Sequence, residues 1–92
     1  MAELDGEWRV ERAGGLLPPL MGVRKRIRGE RGATTVGPVR ASFRVVGREL
    51  RYERPFVGFV DVVEPDAAGF SGRALFRGRE YGRFRLRRAR DS

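Results

Sequence analysis

Two arginines and a tyrosine stand close to strand ends, where strand alternation would turn them toward the interior of a sheet. Arg12, Tyr52 and Arg54 each share the parity of neighbouring apolar residues. Guanidinium groups at a partly dry opening attract anions, and a phenol adds a hydrogen-bonding group. An apolar loop after the first strand would supply the lining of a pocket. The predicted ligand-binding residues are Arg12, Leu17, Leu20, Met21, Tyr52 and Arg54.

This pattern favours a small apolar or amphipathic ligand, such as a fatty or aromatic acid, and a plainer interpretation stays open beside it. Arg12 and Arg54 could be strand-end arginines that contact only water. Leu17, Leu20 and Met21 could pack into the interior as a plug rather than cover it as a lid. Under that interpretation the domain is a non-catalytic scaffold, a homo-oligomer that binds no small molecule.

The residues that could do acid–base chemistry are Asp61 and Glu64, which lie three apart where an extended segment leads into a loop. They fall on opposite faces, so we expect both to be surface groups. The chain has no His and no Cys, which excludes His-based triads, histidine-ligated haem and the usual zinc sites. We therefore predict no catalytic residue, no metal and no cofactor, and favour a binding protein, while an enzyme that works by pocket shape, such as a cyclase or isomerase, stays an alternative.

The formal net charge is +8, from 20 basic and 12 acidic residues, and only Lys25 among the basic residues is not arginine. A positive balance suggests an anionic partner, but the arginines are spread along the chain among the acids. We therefore predict no specific nucleic-acid partner, only weak and steeply salt-dependent binding. One alternative is a basic barrel that binds nucleic acid, with Tyr52, Phe56 and Tyr81 as stacking groups. Against it, the aromatic residues mostly share the parity of the core.

The elements that must position these residues are short strands, because most segments alternate apolar and polar residues with period two. Lys25 interrupts one of them by falling on the inward side. No stretch keeps a helical period for more than two turns, so we expect no substantial helix. The predicted strands are 4–12, 23–28, 33–36, 39–45, 50–53, 56–63, 70–77 and 80–87.

Eight short strands with short connections predict a meander, and closing the meander removes both sheet edges and the exposed apolar face. The predicted fold is therefore all-β, a single up-and-down antiparallel barrel of eight strands over residues 1–92. Such an interior is just wide enough for side chains or one small ligand. The parity of the turns places Trp8 at one end of the barrel and the apolar loop after strand 1 at the other.

The opening strand also carries a resemblance. Gly6-Glu7-Trp8 is similar to the Gly-x-Trp motif that begins the first strand of lipocalin-like (calycin) barrels. The resemblance implies a loop that partly lids the open end, which segment 14–22 matches, and a C-terminal arginine over the tryptophan at the closed end, which Arg88 matches. It also implies a small-molecule ligand. Family members are usually longer, and the small haem-binding ones rely on a His that this chain lacks.

Segment 56–63 differs from the other strands because it is apolar on both faces. Contiguous apolar surface outside a barrel usually marks an interface. Val57 and Phe59 are the predicted contact residues of a homodimer. Cover by the apolar loop, or a local bulge, would explain the same pattern.

The chain has no apolar run near the ~18 residues that a membrane-spanning helix needs. Strand 1 begins so close to residue 1 that we expect no signal peptide. We therefore expect a cytoplasmic location. The absence of Cys leaves the redox compartment open.

Overall fold

The computed structural model describes residues 3–15 and 22–89, and its eight strands form one closed antiparallel barrel in chain order. β8 pairs with β1 and closes the sheet. This confirms the predicted all-β, up-and-down, eight-stranded fold. The strands are β1 (Gly6–Gly15), β2 (Arg24–Arg28), β3 (Arg31–Val36), β4 (Val39–Val46), β5 (Glu49–Tyr52), β6 (Phe59–Asp66), β7 (Gly69–Phe76) and β8 (Arg79–Arg88). Across these two ranges, no helix has the length and apolarity needed to cross a membrane.

Tight turns join most neighbouring strands. Gly47 has φ +61° and occupies the first central position of the turn between β4 and β5, as the predicted glycine-first turn requires. The β7–β8 turn lies one residue earlier than predicted, at Arg77-Gly78. Both of these residues have positive φ, which matches the right-handed twist of the flanking strands.

β6 begins and ends three residues later than the predicted strand 56–63. Segment 53–58 bends, with Phe56 N–H donating to the carbonyl of Glu53, and its two end residues make backbone bonds to other segments: Glu53 N–H donates to the carbonyl of Ser42, and the carbonyl of Gly58 accepts from Arg77 N–H. At the other end the side chain of Asp66 accepts hydrogen bonds from the Ser71 hydroxyl and the Ala68 N–H. These bonds, together with Arg87, lower the pKa of Asp66 to about 2. The carboxylate thus holds a tight turn where the sequence predicted a longer loop.

Trp8 closes one end of the barrel and is almost completely buried. Its indole N–H donates to the carbonyl of Leu4 at 2.8 Å, so the one polar atom of the ring has a partner. The guanidinium of Arg88 covers the ring, with its carbon 4.0 Å from the ring centroid. Gly6 leaves the space that Arg88 needs, since a Cβ at this position would collide with Nη1 of Arg88.

The interior beside Trp8 is packed with apolar side chains from every strand except β3. Phe70 meets the indole edge-on, with the ring centroids 5.4 Å apart. Side chains, rather than a ligand, therefore fill the half of the barrel near Trp8. The buried apolar cluster consists of Leu4, Trp8, Val10, Ile27, Phe43, Leu50, Val63, Phe70, Ala74, Phe84 and Leu86.

We expect Gly6→Ala to lower the free energy of unfolding by about 1–3 kcal/mol, because alanine is strained at φ +130° and its methyl group would displace Arg88. Gly14→Ala is the matched control, since a Cβ there would meet no atom within 4 Å. Urea unfolding of both variants measures the difference. Equal stabilities would show that the contact between Gly6 and Arg88 is not tight.

Trp8→Ala should cost ~3–5 kcal/mol, the usual effect of emptying an aromatic core position. The loss should exceed that of Gly6→Ala, since the whole contact with Phe70 and Arg88 disappears. Thermal melting followed by circular dichroism measures it. A variant that melts within a few degrees of the parent would mean that the closed end is not organised around this ring.

Candidate binding site at the open end

A buried network of polar side chains crosses the middle of the barrel, between the apolar core beside Trp8 and the open end. The ammonium group of Lys25, on β2, donates hydrogen bonds to the Thr34 hydroxyl at 2.7 Å, to the Tyr52 hydroxyl at 2.6 Å and to Asp61 Oδ2 at 2.9 Å. These three bonds use all the donors that an ammonium group has. Tyr52 OH also lies 3.0 Å from Asp61 Oδ2 and 2.6 Å from Thr34 Oγ1. The four side chains therefore form one network by bonding to one another.

Strand register brings these residues together. Lys25 pairs with Thr34 on the neighbouring strand β3, whereas Tyr52 and Asp61 belong to β5 and β6 on the far side of the barrel. Only 3% of Lys25 and 6% of Asp61 are exposed. The expectation that Asp61 lies at the surface is therefore wrong, and the inward parity of Lys25 is explained by its partner. Glu64, by contrast, is exposed.

The charges in the network are fixed by their surroundings. Burial alone would lower the pKa of Lys25, but Asp61 and the Tyr52 hydroxyl outweigh it and raise the pKa above its ordinary value. Burial raises the pKa of Tyr52, and the nearby Asp61 charge raises it further. At neutral pH Lys25 is therefore an ammonium group and Tyr52 a neutral phenol. Because a protonated lysine has no free electron pair, Lys25 is neither a base nor a nucleophile here.

Above this network lies a cluster of aromatic rings that we call the aromatic rim, composed of Phe56, Phe59, Phe76 and Tyr81. The centroid of the Phe59 ring is 4.6 Å from that of Phe76, 6.0 Å from that of Tyr81 and 6.5 Å from that of Phe56. A register shift between β7 and β8 leaves Tyr81 as the extra residue, so it packs against the core instead of pointing outward. The bulge therefore adds a ring that simple alternation does not predict.

Phe59 lies on the same face of β6 as the buried Asp61 and Val63, so its ring contacts other rings at the barrel mouth. The sequence placed it on the outer face with Val57. Val57 precedes β6 and is 63% exposed. The proposed role of Val57 and Phe59 in a homodimer stays a prediction.

Exposed apolar side chains concentrate at the same end. Val36 and Val39 flank the β3–β4 turn, Val57 lies next to the rim residue Phe56, and Phe76 itself belongs to the aromatic rim. Among the large apolar side chains that are exposed in ranges 3–15 and 22–89, just Val46 lies at the closed end. Apolar surface gathered at one place is typical of a binding site.

Two of the other predicted ligand-binding residues, Arg12 and Arg54, lie outside the polar network. Arg12 is exposed and donates to the carbonyl of Gly15 at 2.8 Å, and Arg54 is exposed in the bend between β5 and β6. Alternation predicts that both guanidinium groups turn into the barrel. In the structure neither does so, and neither joins the network. Leu17, Leu20 and Met21 lie outside the described residues.

The sequence contains a signal for the network in its one lysine. Lys25 is the only lysine among 20 basic residues, and its inward parity required an acid inside the barrel. Asp61 lies between two apolar pairs, Phe59-Val60 and Val62-Val63. In the part of the chain that the structure describes, no group of three or more Asp or Glu side chains could hold a metal ion.

No protein-family model, curated protein or solved structure matches this chain. Support for a function therefore comes from the contacts of its own residues.

Asp61→Asn should destabilise the protein by about 3–5 kcal/mol, because it leaves the Lys25 charge buried without a counter-charge. The double variant Lys25→Met/Asp61→Leu should recover most of this loss, since the Thr34 and Tyr52 hydroxyls still bond to each other. Glu49→Gln is the control; it breaks an exposed ion pair with Arg51 and should cost ~0–1 kcal/mol. Chemical unfolding compares the three. Similar losses for Asp61→Asn and Glu49→Gln would contradict the network.

The raised pKa values predict loss of stability in alkali. A group whose folded pKa lies above its unfolded value stabilises fully below the unfolded pKa, and this contribution is lost as the pH rises through the folded pKa. The ordinary values are 10.5 for Lys25 and 10.0 for Tyr52. The melting temperature should therefore fall above about pH 10, and less steeply in Lys25→Met/Asp61→Leu. Parallel curves for both proteins across this range would show that Lys25 makes no such contribution.

Proposed function

We propose that this protein binds a small apolar or amphipathic molecule at the open end of its barrel, with the apolar part of the ligand against the aromatic rim. The observation that carries the proposal is the concentration of exposed apolar side chains around that rim, above a buried polar floor. A kinship with lipocalin-like proteins is part of the proposal. The packing of Arg88 over Trp8, made possible by Gly6, supports it.

The polar network limits how deep such a ligand can lie. Below it, the Lys25 ammonium is 5.6 Å from the centroid of Phe43 and 5.4 Å from that of Phe84, both in the packed core. Because its hydrogen bonds are satisfied internally, the network gains little by opening for a ligand. The site is therefore shallow, and it suits a molecule that leaves its polar end at the mouth.

Rim arginines supply the polar contacts for a ligand that carries an acid group. Arg54 is exposed between Tyr52 and Phe56, and Arg77 lies with its guanidinium carbon 5.4 Å from the centroid of Phe76. A charge-assisted hydrogen bond contributes ~1.5–3 kcal/mol. Lys25 has no donor left for this purpose, so preference for an acid over an alcohol would come from the rim.

Calorimetric titration with fatty and aromatic acids, and with the corresponding alcohols, tests the proposal. Phe76→Ser should weaken every ligand about tenfold by removing an apolar contact of ~1.4 kcal/mol. Val46→Ser is the control, because Val46 is also exposed but lies at the closed end. Arg54→Met should weaken the acids about tenfold and leave the alcohols unchanged.

Two results would contradict the proposal. One is the absence of binding below millimolar concentration for every compound, with native mass spectrometry showing no co-purified ligand. The other is an equal effect of Phe76→Ser and Val46→Ser. If nothing binds and the protein sediments as a dimer that Val57→Lys separates, the homo-oligomeric scaffold replaces this function.

A further inference from the structure

The basic residues of this protein are not distributed evenly over the outside of the barrel. β2, β3 and β4 together carry six exposed arginines and no acidic residue. We call their outer surface the arginine face. Of the remaining strands, β1, β5 and β8 carry acidic residues among their arginines. The arginines of the face are Arg24, Arg26, Arg28, Arg31, Arg40 and Arg44.

Strand register sets these arginines in rows. Arg28 pairs with Arg31, and Arg31 pairs with Arg44, so three like charges stand side by side across neighbouring strands. Like charges directly opposite each other in a sheet are destabilising. Within the described ranges, Arg26 is the one arginine of the face with an ion pair, to Glu7. The face therefore carries repulsion that a bound anion would relieve.

Small side chains make this face concave. A second row places Thr35 between Arg24 and Arg40, and a third places Ala33 and Ser42 beside Arg26. The result is a groove of about 550 Å³. Since neighbouring strands are about 4.8 Å apart, the arginines of β2 and β4 stand on either side of a floor about 10 Å wide.

We propose that the arginine face binds the phosphate backbone of a single nucleic-acid strand, without regard to base identity. Arginine forks match phosphate geometry, and rows two residues apart along a strand offer a repeating set of them. No aromatic side chain of β2, β3 or β4 is exposed on this face, so the bases have no stacking partner there. A concave groove walled by arginines fits a chain of phosphates better than the flat surface of a membrane.

The inference goes beyond the ligand site at the mouth and uses different residues. It also agrees with the expectation of no sequence-specific recognition. What the register adds is a place: six exposed arginines lie on three neighbouring strands that carry no acidic residue of their own, and one of the six, Arg26, pairs with Glu7 of β1.

Fluorescence anisotropy with labelled oligo-dT and oligo-dA, over a series of salt concentrations, tests this inference. Arg31→Ser/Arg40→Ser removes two charges from the face. Arg79→Ser/Arg85→Ser removes two exposed arginines of β8 that make no ion pair in the described ranges, so both variants have the same net charge. The first variant should bind about tenfold more weakly, with a salt slope smaller by roughly 1.4, whereas the second should change little.

A variant of opposite sign sharpens the test. Glu53 lines the groove and is an acid at its edge, so Glu53→Gln should tighten binding. Arg31→Ser should also raise the melting temperature of the free protein, because it removes the central charge of the arginine row. Arg31→Ser should thus be more stable than the parent protein and bind the oligonucleotide more weakly. A purely structural role of Arg31 would not give both effects.

Four results would overturn the inference. Equal weakening by the two double variants would mean that binding follows net charge alone. A clear preference for one base would mean direct base recognition. Tighter binding to a duplex would mean that the groove does not select a single strand. Stronger retention on vesicles of anionic lipid than on oligonucleotide would assign the face to a membrane surface.

Discussion

The ion pair between Lys25 and Asp61 crosses the inside of the barrel. Lys25 belongs to β2 and Asp61 to β6, which stand on opposite walls of the closed sheet. A buried pair does not by itself make a protein more stable, because both charges lose their water. What it can specify is register, since a one-residue slip in either strand would turn a charge outward and leave its partner buried alone. The positions of Thr34, Tyr52 and the aromatic rim all depend on that register.

The pair also divides the interior into two regions with different properties. Below it lies a packed apolar core closed by Trp8, and above it lies a mouth with aromatic rings and exposed valines. A barrel of eight strands is only just wide enough to contain side chains, so a fully apolar filling would have been possible. Placing charged and hydroxyl groups across the middle prevents the mouth and the core from merging into one hydrophobic filling.

The fold was predictable because its signals are local. Period-two alternation, glycine-first turns and the Gly6-Glu7-Trp8 sequence each require only a few neighbouring residues to be read. The polar network was not predictable in the same way, because Lys25 and Asp61 are 36 residues apart and each strand was interpreted alone. Segment 56–63 is apolar on both faces, so alternation could not choose its inward side. The β7–β8 bulge then reversed the expected direction of Tyr81.

Trp8 is the only tryptophan of the chain, and it is buried at the end of the barrel that faces away from the mouth. Its emission therefore reports on the closed end, on the cover provided by Arg88 and on the hydrogen bond to Leu4. A molecule seated on the aromatic rim would leave that environment intact. The protein thus has an intrinsic folding probe that lies outside the aromatic rim, so a change in tryptophan emission on adding a ligand would signal a rearrangement that extends beyond the rim.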